Sequence, residues 1–310
     1  MDPGQLAQLE QAATGGDADA AVELAAALAD AGQVAEAQQW LHRAATAGSG
    51  AAGVQMGLLL EQRGLLEDAE TWYGWADVAG HPMGAYNLGR LREDRGDLDG
   101  AAEAMARAAE QGDVDSAYHT GRLLDRIGDR AGAERWYQRA AEGGKPGAAV
   151  NLGVIAKQRG DLAAAEHWYR RAAETGHPVG AHNLALLVQD RGQLEEAARW
   201  FGVAAQAGKA DSAVHLGFLH YDQGDVVGAE QWFRVAAEGG DLTGADNLGY
   251  LLEQRGELAE AEHWLRLAVT DGESANACFN LARTLHRLGK EPEAAHWFDE
   301  GERRQRLAPV

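Results

Sequence analysis

The chain has 310 residues and a formal net charge of −20, because 48 acidic residues outnumber 28 basic ones. This charge repels phosphate backbones and anionic lipids, which argues against nucleic-acid and membrane-surface binding. A single cysteine, Cys278, excludes an intramolecular disulfide and a cysteine-based zinc site, so we expect a reducing compartment, the cytoplasm. We expect no secretory signal, since the first residues carry neither a basic segment nor an apolar run.

Glycines divide the chain at regular intervals. Every residue number that is a multiple of sixteen, from Gly16 to Gly272, is a glycine. Odd and even members of this series have different flanking residues, so the repeat is 32 residues long and consists of two halves of 16. The last repeat has one extra residue, because its internal glycine is Gly289.

This spacing predicts three segments along the chain. Residues 1–16 predict a lone capping helix that resembles the second half of a repeat. Residues 17–302 predict nine helix pairs that stack as one solenoid, in which each repeat contacts its neighbours. Residues 303–310 form a basic tail, which we predict to be a frayed end.

Each half-repeat has the pattern of a short amphipathic helix. Between Gly160 and Gly176, apolar and small residues recur at spacings of three and four. Asp161 is placed to cap the start of this helix, and Gly176 ends it, because glycine adopts the left-handed conformation without steric cost. No segment alternates with a period of two, so we predict an all-α protein with about 19 helices.

Two residue columns predict how the helices meet. Alanine lies five residues after each internal glycine, and tryptophan follows three residues later in eight of the nine repeats. The next position is large and mostly aromatic, as in Tyr73, Tyr169 and Phe233. A small residue permits two helices to approach closely, while bulky neighbours fill the space beside it. We therefore interpret the aromatic stripe as core packing rather than as a stacking platform for a ligand.

These columns resemble two related repeat families. The run Ala85-Tyr86-Asn87-Leu88-Gly89, followed by Asp97-Leu98 and Ala101, resembles the tetratricopeptide repeat (TPR). The run Trp168-Tyr169-Arg170-Arg171-Ala172-Ala173-Glu174 is similar to the Sel1-like repeat. The resemblance implies an α-solenoid of stacked antiparallel helix pairs wound into a right-handed superhelix, although the 32-residue unit is shorter than the typical unit of either family. It also implies that the first helix of each pair lines a concave, ligand-binding face.

The candidate binding residues are those that vary on these first helices. One row begins basic in the early repeats and becomes apolar and then aromatic in the later ones. The neighbouring rows carry asparagines, tyrosines and histidines. Together they predict a peptide-binding site in the groove, composed of Tyr86, Asn87, Arg90, Tyr118, Arg122, Arg126, His182, Asn183, Leu186, Phe218, Tyr221, Asn247 and Tyr250.

Three arginines near Asn87 predict an anionic anchor. In some TPR proteins, an asparagine at this place helps to clamp the C-terminal carboxylate of a peptide. Arg90 lies one helical turn after Asn87, and Arg122 and Arg126 come from the next repeat. Arginine binds a carboxylate through two parallel hydrogen bonds. Alternatively, nearby carboxylates pair with these arginines instead: Glu93, Asp94 and Asp125.

The later repeats predict an apolar pocket. Leu186, Phe218, Tyr221 and Tyr250 lie on successive first helices, where a purely structural surface has no need of aromatic residues. If these side chains line the groove, they provide anchoring points for the apolar side chains of a peptide. The alternative is that the curvature of the superhelix buries some of them.

These features predict a non-enzymatic interaction scaffold that holds a partner peptide or protein segment, basic or ending in a carboxylate. The alternative is a regulatory sensor whose superhelix changes pitch when it binds a peptide or small ligand. We expect no enzyme activity, cofactor or metal, because no catalytic motif is present and the histidines recur as part of the repeat. The alanine-, glycine- and arginine-rich composition suits a bacterial source.

Overall fold

The computed structural model describes residues 3–270 and 274–307. In these residues the chain forms nineteen α-helices and no strand, in agreement with the predicted fold class. The helices group into two compact units, residues 1–148 and 149–310, which are described separately below. The division between the units falls within one helix, α10 (Pro146–Gln158).

The helices of unit 1 are nearly equal in length, as the glycine spacing predicts. They are α1 (Pro3–Thr14), α2 (Ala18–Asp30), α3 (Val34–Thr46), α4 (Gly50–Gln62), α5 (Leu66–Val78), α6 (Pro82–Asp94), α7 (Leu98–Glu110), α8 (Val114–Ile127) and α9 (Arg130–Glu142). Helix α1 packs against α2, and each of the helices α2, α4, α6 and α8 packs against the odd-numbered helix that follows it. We call the two members of each pair the first and the second helix.

Unit 2 continues the same alternation of first and second helices. Its helices after α10 are α11 (Leu162–Ala173), α12 (Pro178–Asp190), α13 (Leu194–Gln206), α14 (Ala210–Asp222), α15 (Val226–Glu238), α16 (Leu242–Arg255), α17 (Leu258–Ala268), α18 (Ala275–Arg287) and α19 (Glu291–Leu307). Within each unit, first helices also contact the first helix of the next repeat, as α4 contacts α6 and α14 contacts α16. The first helices of a unit therefore form a continuous row.

The glycines at the turns adopt the backbone conformation that the sequence predicts. Each glycine at a multiple of sixteen from Gly16 to Gly256, and also Gly289, has a φ between 74° and 102°, in the left-handed region. The next residue starts a new helix: the Asp161 carboxylate accepts a hydrogen bond from the backbone N–H of Ala164 at 2.9 Å. The predicted cap and the predicted turns are thus confirmed. Gly272 lies outside the described residues.

Bulky side chains pack directly on the backbone of the first helices. The Tyr169 ring lies against Gly153, where an added Cβ would be 2.4 Å from the ring, and Phe233 lies against Gly217 in the same way. Both rings are buried, which confirms that this column forms the core. The tryptophan column is half-buried at most positions, since it packs at the edge of this core. Phe298 on α19 is 52% exposed, because no described helix follows to cover it.

The C-terminal segment differs from the expected frayed tail. Helix α19 continues without interruption to Leu307. Its basic residues are held within the helix, because Arg303 and Arg304 donate to the Glu300 carboxylate and Arg306 donates to Glu302. Pairs at this spacing stabilise a helix by a few tenths of a kcal/mol each. Residues 308–310 lie outside the described residues.

Candidate functional site

In unit 1, the first predicted anchor arginine is held by a neighbouring repeat. Arg90 on α6 donates through Nη2 to both carboxylate oxygens of Glu61 on α4, at 2.7 and 2.5 Å. The Tyr73 hydroxyl donates to the same carboxylate at 2.7 Å. Burial raises the pKa of Glu61, but the hydrogen bonds from Arg90 and Tyr73 outweigh this effect and bring the pKa below its usual value. The Arg90 guanidinium therefore stabilises the packing of α4 against α6.

The rest of the predicted anchor is also divided among different partners. Arg126 pairs with Glu93 of the preceding first helix, and the Asn87 side chain is buried. Arg122 is exposed and pairs with no carboxylate in the described part of the chain. The structure thus follows the alternative in which nearby carboxylates pair with Arg90 and Arg126. It leaves Arg122 as the available cation of this group.

The two predicted tyrosines of unit 1 flank a histidine. Tyr86 and Tyr118 are half-buried, and each ring packs edge-on against His119, with centroids 6.1 and 5.9 Å away. Burial, and then the positive charge of Arg122, lower the pKa of His119 below its usual value. The Lys145 ammonium lies 5.8 Å from the centre of the Tyr118 ring. This face of unit 1 is therefore polar and largely occupied by its own contacts.

In unit 2, the predicted binding residue His182 is a buried packing residue. Its Nδ1 lies 2.8 Å from the Ser212 hydroxyl of the next first helix, and its Nε2 lies 3.9 Å from the Asp211 carboxylate. Burial lowers the pKa of His182 to about 4. The neighbouring His215 ring stacks on Phe201 with centroids 4.7 Å apart. This cluster joins α12 and α14, so His182 is not available to a ligand in this conformation.

The two predicted asparagines of unit 2 lie at the border of the same row. Asn183 and Asn247 are both half-buried. The Asn247 side-chain amide donates to the backbone carbonyl of Thr243 at 2.8 Å, within its own helix. Its carbonyl oxygen faces no donor in the described residues, so an incoming N–H group can use it.

Two of the four predicted apolar-pocket residues of unit 2 are exposed. Phe218 is 40% exposed and Tyr221 is 43% exposed, both on α14. Leu186 on α12 and Tyr250 on α16 are half-buried and pack against the core. We call these four residues the aromatic patch. The predicted alternative of burial by curvature thus applies in part to Leu186 and Tyr250, but not to Phe218 and Tyr221.

The aromatic patch is held in place by contacts beneath and beside it. The Phe218 ring packs edge-on against the buried Phe233 ring at 5.2 Å. The Arg283 guanidinium of α18 lies 5.4 Å from the centre of the Tyr250 ring. An exposed aromatic side chain that is already fixed in position loses little conformational entropy on binding. The patch is therefore suited to anchoring a partner.

Sequence reasoning missed a buried carboxylate near this patch. Glu253 on α16 is 2% exposed and accepts hydrogen bonds from Arg283 and Arg287 of α18. Burial raises its pKa, but the bonds from Arg287 and Arg283 outweigh burial and lower it overall. A signal was present, because Glu253 and Arg283 are 30 residues apart, close to one repeat. A similar spacing, 29 residues, separates Glu61 from Arg90.

In the described residues, no group of three histidine, cysteine or acidic side chains is arranged to hold a metal ion. None of the described helices is both long and apolar enough to cross a membrane.

Known proteins resemble this chain in repeat pattern and in fold. Three tetratricopeptide repeat family models match it, at residues 86–149, at residues 147–176 and 242–276, and at residues 18–43, 178–202, 204–234 and 275–300. The structure of a Sel1 repeat protein from Oxalobacter formigenes is 24% identical, with a TM-score of 0.69 and 87% of each chain covered. The structure of c5321, a protective antigen of uropathogenic Escherichia coli strains displaying an SLR fold, is 26% identical, with a TM-score of 0.49, 96% of this chain covered and 79% of that chain. A search of curated proteins finds no match.

The 32-residue helix pairs and their stacking define an α-solenoid repeat protein. The chain belongs to the tetratricopeptide repeat family, as a TPR/Sel1-like repeat protein. Proteins of this fold generally act as scaffolds for protein–protein interaction and are typically not catalysts.

Proposed function

We propose that this protein is a non-enzymatic scaffold, active in the cytoplasm, that binds a peptide segment of a partner protein on the first helices of unit 2. The observation that carries this proposal is the aromatic patch, in which Phe218 and Tyr221 are exposed, while Leu186 and Tyr250, at the positions of the neighbouring first helices that correspond to Phe218, are half-buried. Binding energy at interfaces concentrates in a few aromatic anchors that sit on a packed base. Phe218, supported by the buried Phe233 ring, meets that description.

The chemistry of the surface indicates what the partner segment contains. Apolar side chains of the segment contact Phe218 and Tyr221. The side-chain carbonyl of Asn247 accepts a hydrogen bond from a backbone N–H group of the segment. The net charge of −20 favours a basic segment and speeds its approach at low salt. We therefore expect a peptide that combines apolar anchors with lysine or arginine residues.

Arg122 supports a second, weaker contact for a carboxylate within unit 1. It is exposed, and the described residues offer it no acidic partner. The other arginines of the predicted anchor are already paired, so a carboxylate there meets one guanidinium instead of three. We expect this contact to add little affinity, as is typical of an exposed ion pair.

The test is selection of binding peptides from a random displayed library with the full chain as bait. The Phe218→Ala/Tyr221→Ala variant is measured against the selected peptides, and Phe298→Ala serves as the matched control, since Phe298 is an exposed phenylalanine on a second helix. Loss of two aromatic anchors is expected to weaken binding by about 30-fold or more, whereas the control changes it less than about threefold.

Circular dichroism establishes that all variants keep the helical content of the wild type. Equal affinity of the wild type and the Phe218→Ala/Tyr221→Ala variant for every selected peptide would remove the aromatic patch as the binding site. A selection that enriches no peptide at all would contradict the proposed function.

A further inference from the structure

Three arginines in unit 2 bridge consecutive second helices in the same manner. Each donates to a glutamate four residues earlier on its own helix and to a glutamate on the next second helix. These sets are Arg170 with Glu166 and Glu196, Arg234 with Glu230 and Glu260, and Arg266 with Glu262 and Glu293. In two sets the indole N–H of a tryptophan donates to the second glutamate, at 3.3 Å from Trp200 and 3.4 Å from Trp264. The fold thus contains a repeated site for a guanidinium group.

The equivalent place between α3 and α5 of unit 1 has acceptors but no arginine. His42 lies at the arginine position, Gln38 replaces the first glutamate and Asp68 replaces the second. Trp72 lies at the position of Trp200, and its ring packs edge-on against His42 at 5.8 Å. Asp68 is exposed and pairs with no cation in the described part of the chain.

A cleft lies at the place that corresponds to the bridging arginine of the unit 2 sets. Its volume is about 560 Å³, and Gln38, His42, Asp68 and Trp72 are among the residues that line it. Met56 and Leu60 of the first helix α4 contribute apolar surface beneath them. The cleft therefore presents a carboxylate, an amide oxygen and an aromatic ring above an apolar floor.

We propose that this cleft binds an arginine side chain supplied by a partner protein, in the position that arginines of this chain occupy in unit 2. The Asp68 carboxylate and the Gln38 carbonyl accept hydrogen bonds from the guanidinium, and the Trp72 ring contacts its face. The aliphatic stem of the arginine covers Met56 and Leu60. Lysine is a poorer ligand, because its ammonium is a compact charge without a planar fork of donors.

One positive charge already lies at the cleft, and it does not block the site. Arg43 lines the cleft, but its guanidinium lies over the Trp40 ring, 4.9 Å from the ring centre. In unit 2, Arg171 lies over Trp168 in the same way, next to Arg170 in its glutamate site. A guanidinium at the bridging position is therefore compatible with an arginine at the following position.

This site is separate from the one in the proposed function. It lies between the second helices α3 and α5 of unit 1, next to the first helix α4, whereas the aromatic patch lies on first helices of unit 2. Either site can fail its test without affecting the result of the other.

The test uses ¹⁵N-labelled full-length protein and three probes: N-acetyl-arginine N-methylamide and the matching lysine and citrulline compounds. The indole N–H signal of Trp72, assigned with the variant Trp72→Phe, is followed by NMR during titration. We expect a saturable shift with the arginine probe. Binding of the citrulline probe, which has a similar shape but no charge, is expected to be about tenfold weaker, since hydrogen bonds from a charged donor to a carboxylate are stronger than those from a neutral donor.

Two variants and a matched control identify the cleft as the site. His42→Arg places an internal guanidinium next to Asp68 and is expected to weaken binding of the arginine probe at least about tenfold, as is Asp68→Asn. Gln138→Arg adds the same charge at the equivalent position of α9, which does not line the cleft, and should leave binding unchanged. The proposal is overturned if the arginine probe gives no saturable shift, if citrulline binds equally well, or if His42→Arg binds as the wild type does.

Discussion

Polar side chains between the first helices stabilise the fold because each meets its partner about one repeat away. Glu61 and Arg90 form such a contact in unit 1, and His182 and Ser212 form one in unit 2. A buried polar group without a hydrogen bond costs about 1–3 kcal/mol, so a helix shifted from its correct position would leave several such groups unpaired. These residues therefore specify how neighbouring repeats align, in addition to any stability that they contribute.

The buried imidazole of His182 makes stability depend on pH. Burial lowers its pKa to about 4, below the unfolded-state value of about 6.5, so the unfolded chain binds more protons between these values. Stability therefore falls as the pH drops through this interval, although Asp211 nearby opposes the effect of burial and Lys209 and His215 add to it. Between pH 7 and pH 5, we expect His182 to account for a loss of about 2 kcal/mol.

Urea unfolding of the wild type and His182→Asn at both pH values measures this loss. The difference between pH 7 and pH 5 should shrink by about 2 kcal/mol in the variant. His263→Asn, which replaces an exposed histidine, is the control and should behave as the wild type. An equal pH dependence in all three proteins would show that His182 is not the responsible group.

Glu253 gives a pH dependence of the same sign as His182, but at lower pH. Its pKa in the folded state is lowered, so its contribution to stability is present above the unfolded-state value of about 4.3 and is lost as the pH falls through the folded-state pKa. At pH 7, Glu253→Gln removes the charged acceptor of Arg283 and Arg287 and is expected to cost about 2 kcal/mol. Glu257→Gln, at an exposed ion pair with Arg255, is expected to cost less than about 0.5 kcal/mol. Unfolding by urea compares the two, and equal costs would contradict the structural role of Glu253.

At the scale of the helix, close packing depends on a ring that lies against a glycine. Tyr169 on α11 occupies the volume that a side chain at position 153 would need, and Phe233 does the same at position 217. The interior of a helix normally disfavours glycine, which costs roughly 0.5–1 kcal/mol relative to alanine. The burial of a whole aromatic side chain, worth about 2–3 kcal/mol, exceeds that cost. Glycine is therefore favoured at these positions by packing and not by its backbone conformation.

Alanine substitutions separate these two effects of glycine. Gly153→Ala places a Cβ 2.4 Å from the buried Tyr169 ring and is expected to destabilise the protein by about 1–3 kcal/mol. Gly202→Ala, in helix α13, adds a Cβ that meets nothing within 4 Å and is expected to stabilise it by about 0.5–1 kcal/mol. Thermal and urea unfolding measure both changes. Similar changes at the two positions would mean that the ring does not require the glycine.

At the scale of the molecule, the repeat pattern predicts most of the fold and little of the site. Glycine spacing and the small and aromatic columns determine helix number, helix length and core positions, because these depend on local periodicity. The partner of Arg90 could not be predicted in this way, since Glu61, Glu93 and Asp94 all lie near it in the pattern and side-chain reach decides among them. The cleft at His42 was missed for a similar reason. It lies where an arginine that bridges two second helices is absent, and only the structure reveals that such arginines bridge.

Net charge and the aromatic patch are expected to affect different rate constants of peptide binding. The charge of −20 acts over distance and attracts a basic segment before contact, whereas Phe218 acts only after contact. Raising the salt from about 0.05 M to about 0.5 M shortens the screening length and should lower the association rate constant about tenfold, with little change in dissociation. Phe218→Ala should instead raise the dissociation rate constant at every salt concentration. Surface plasmon resonance with a peptide selected as above measures both constants. If the Phe218 variant acted mainly on association, Phe218 would be guiding the encounter and not anchoring the bound peptide.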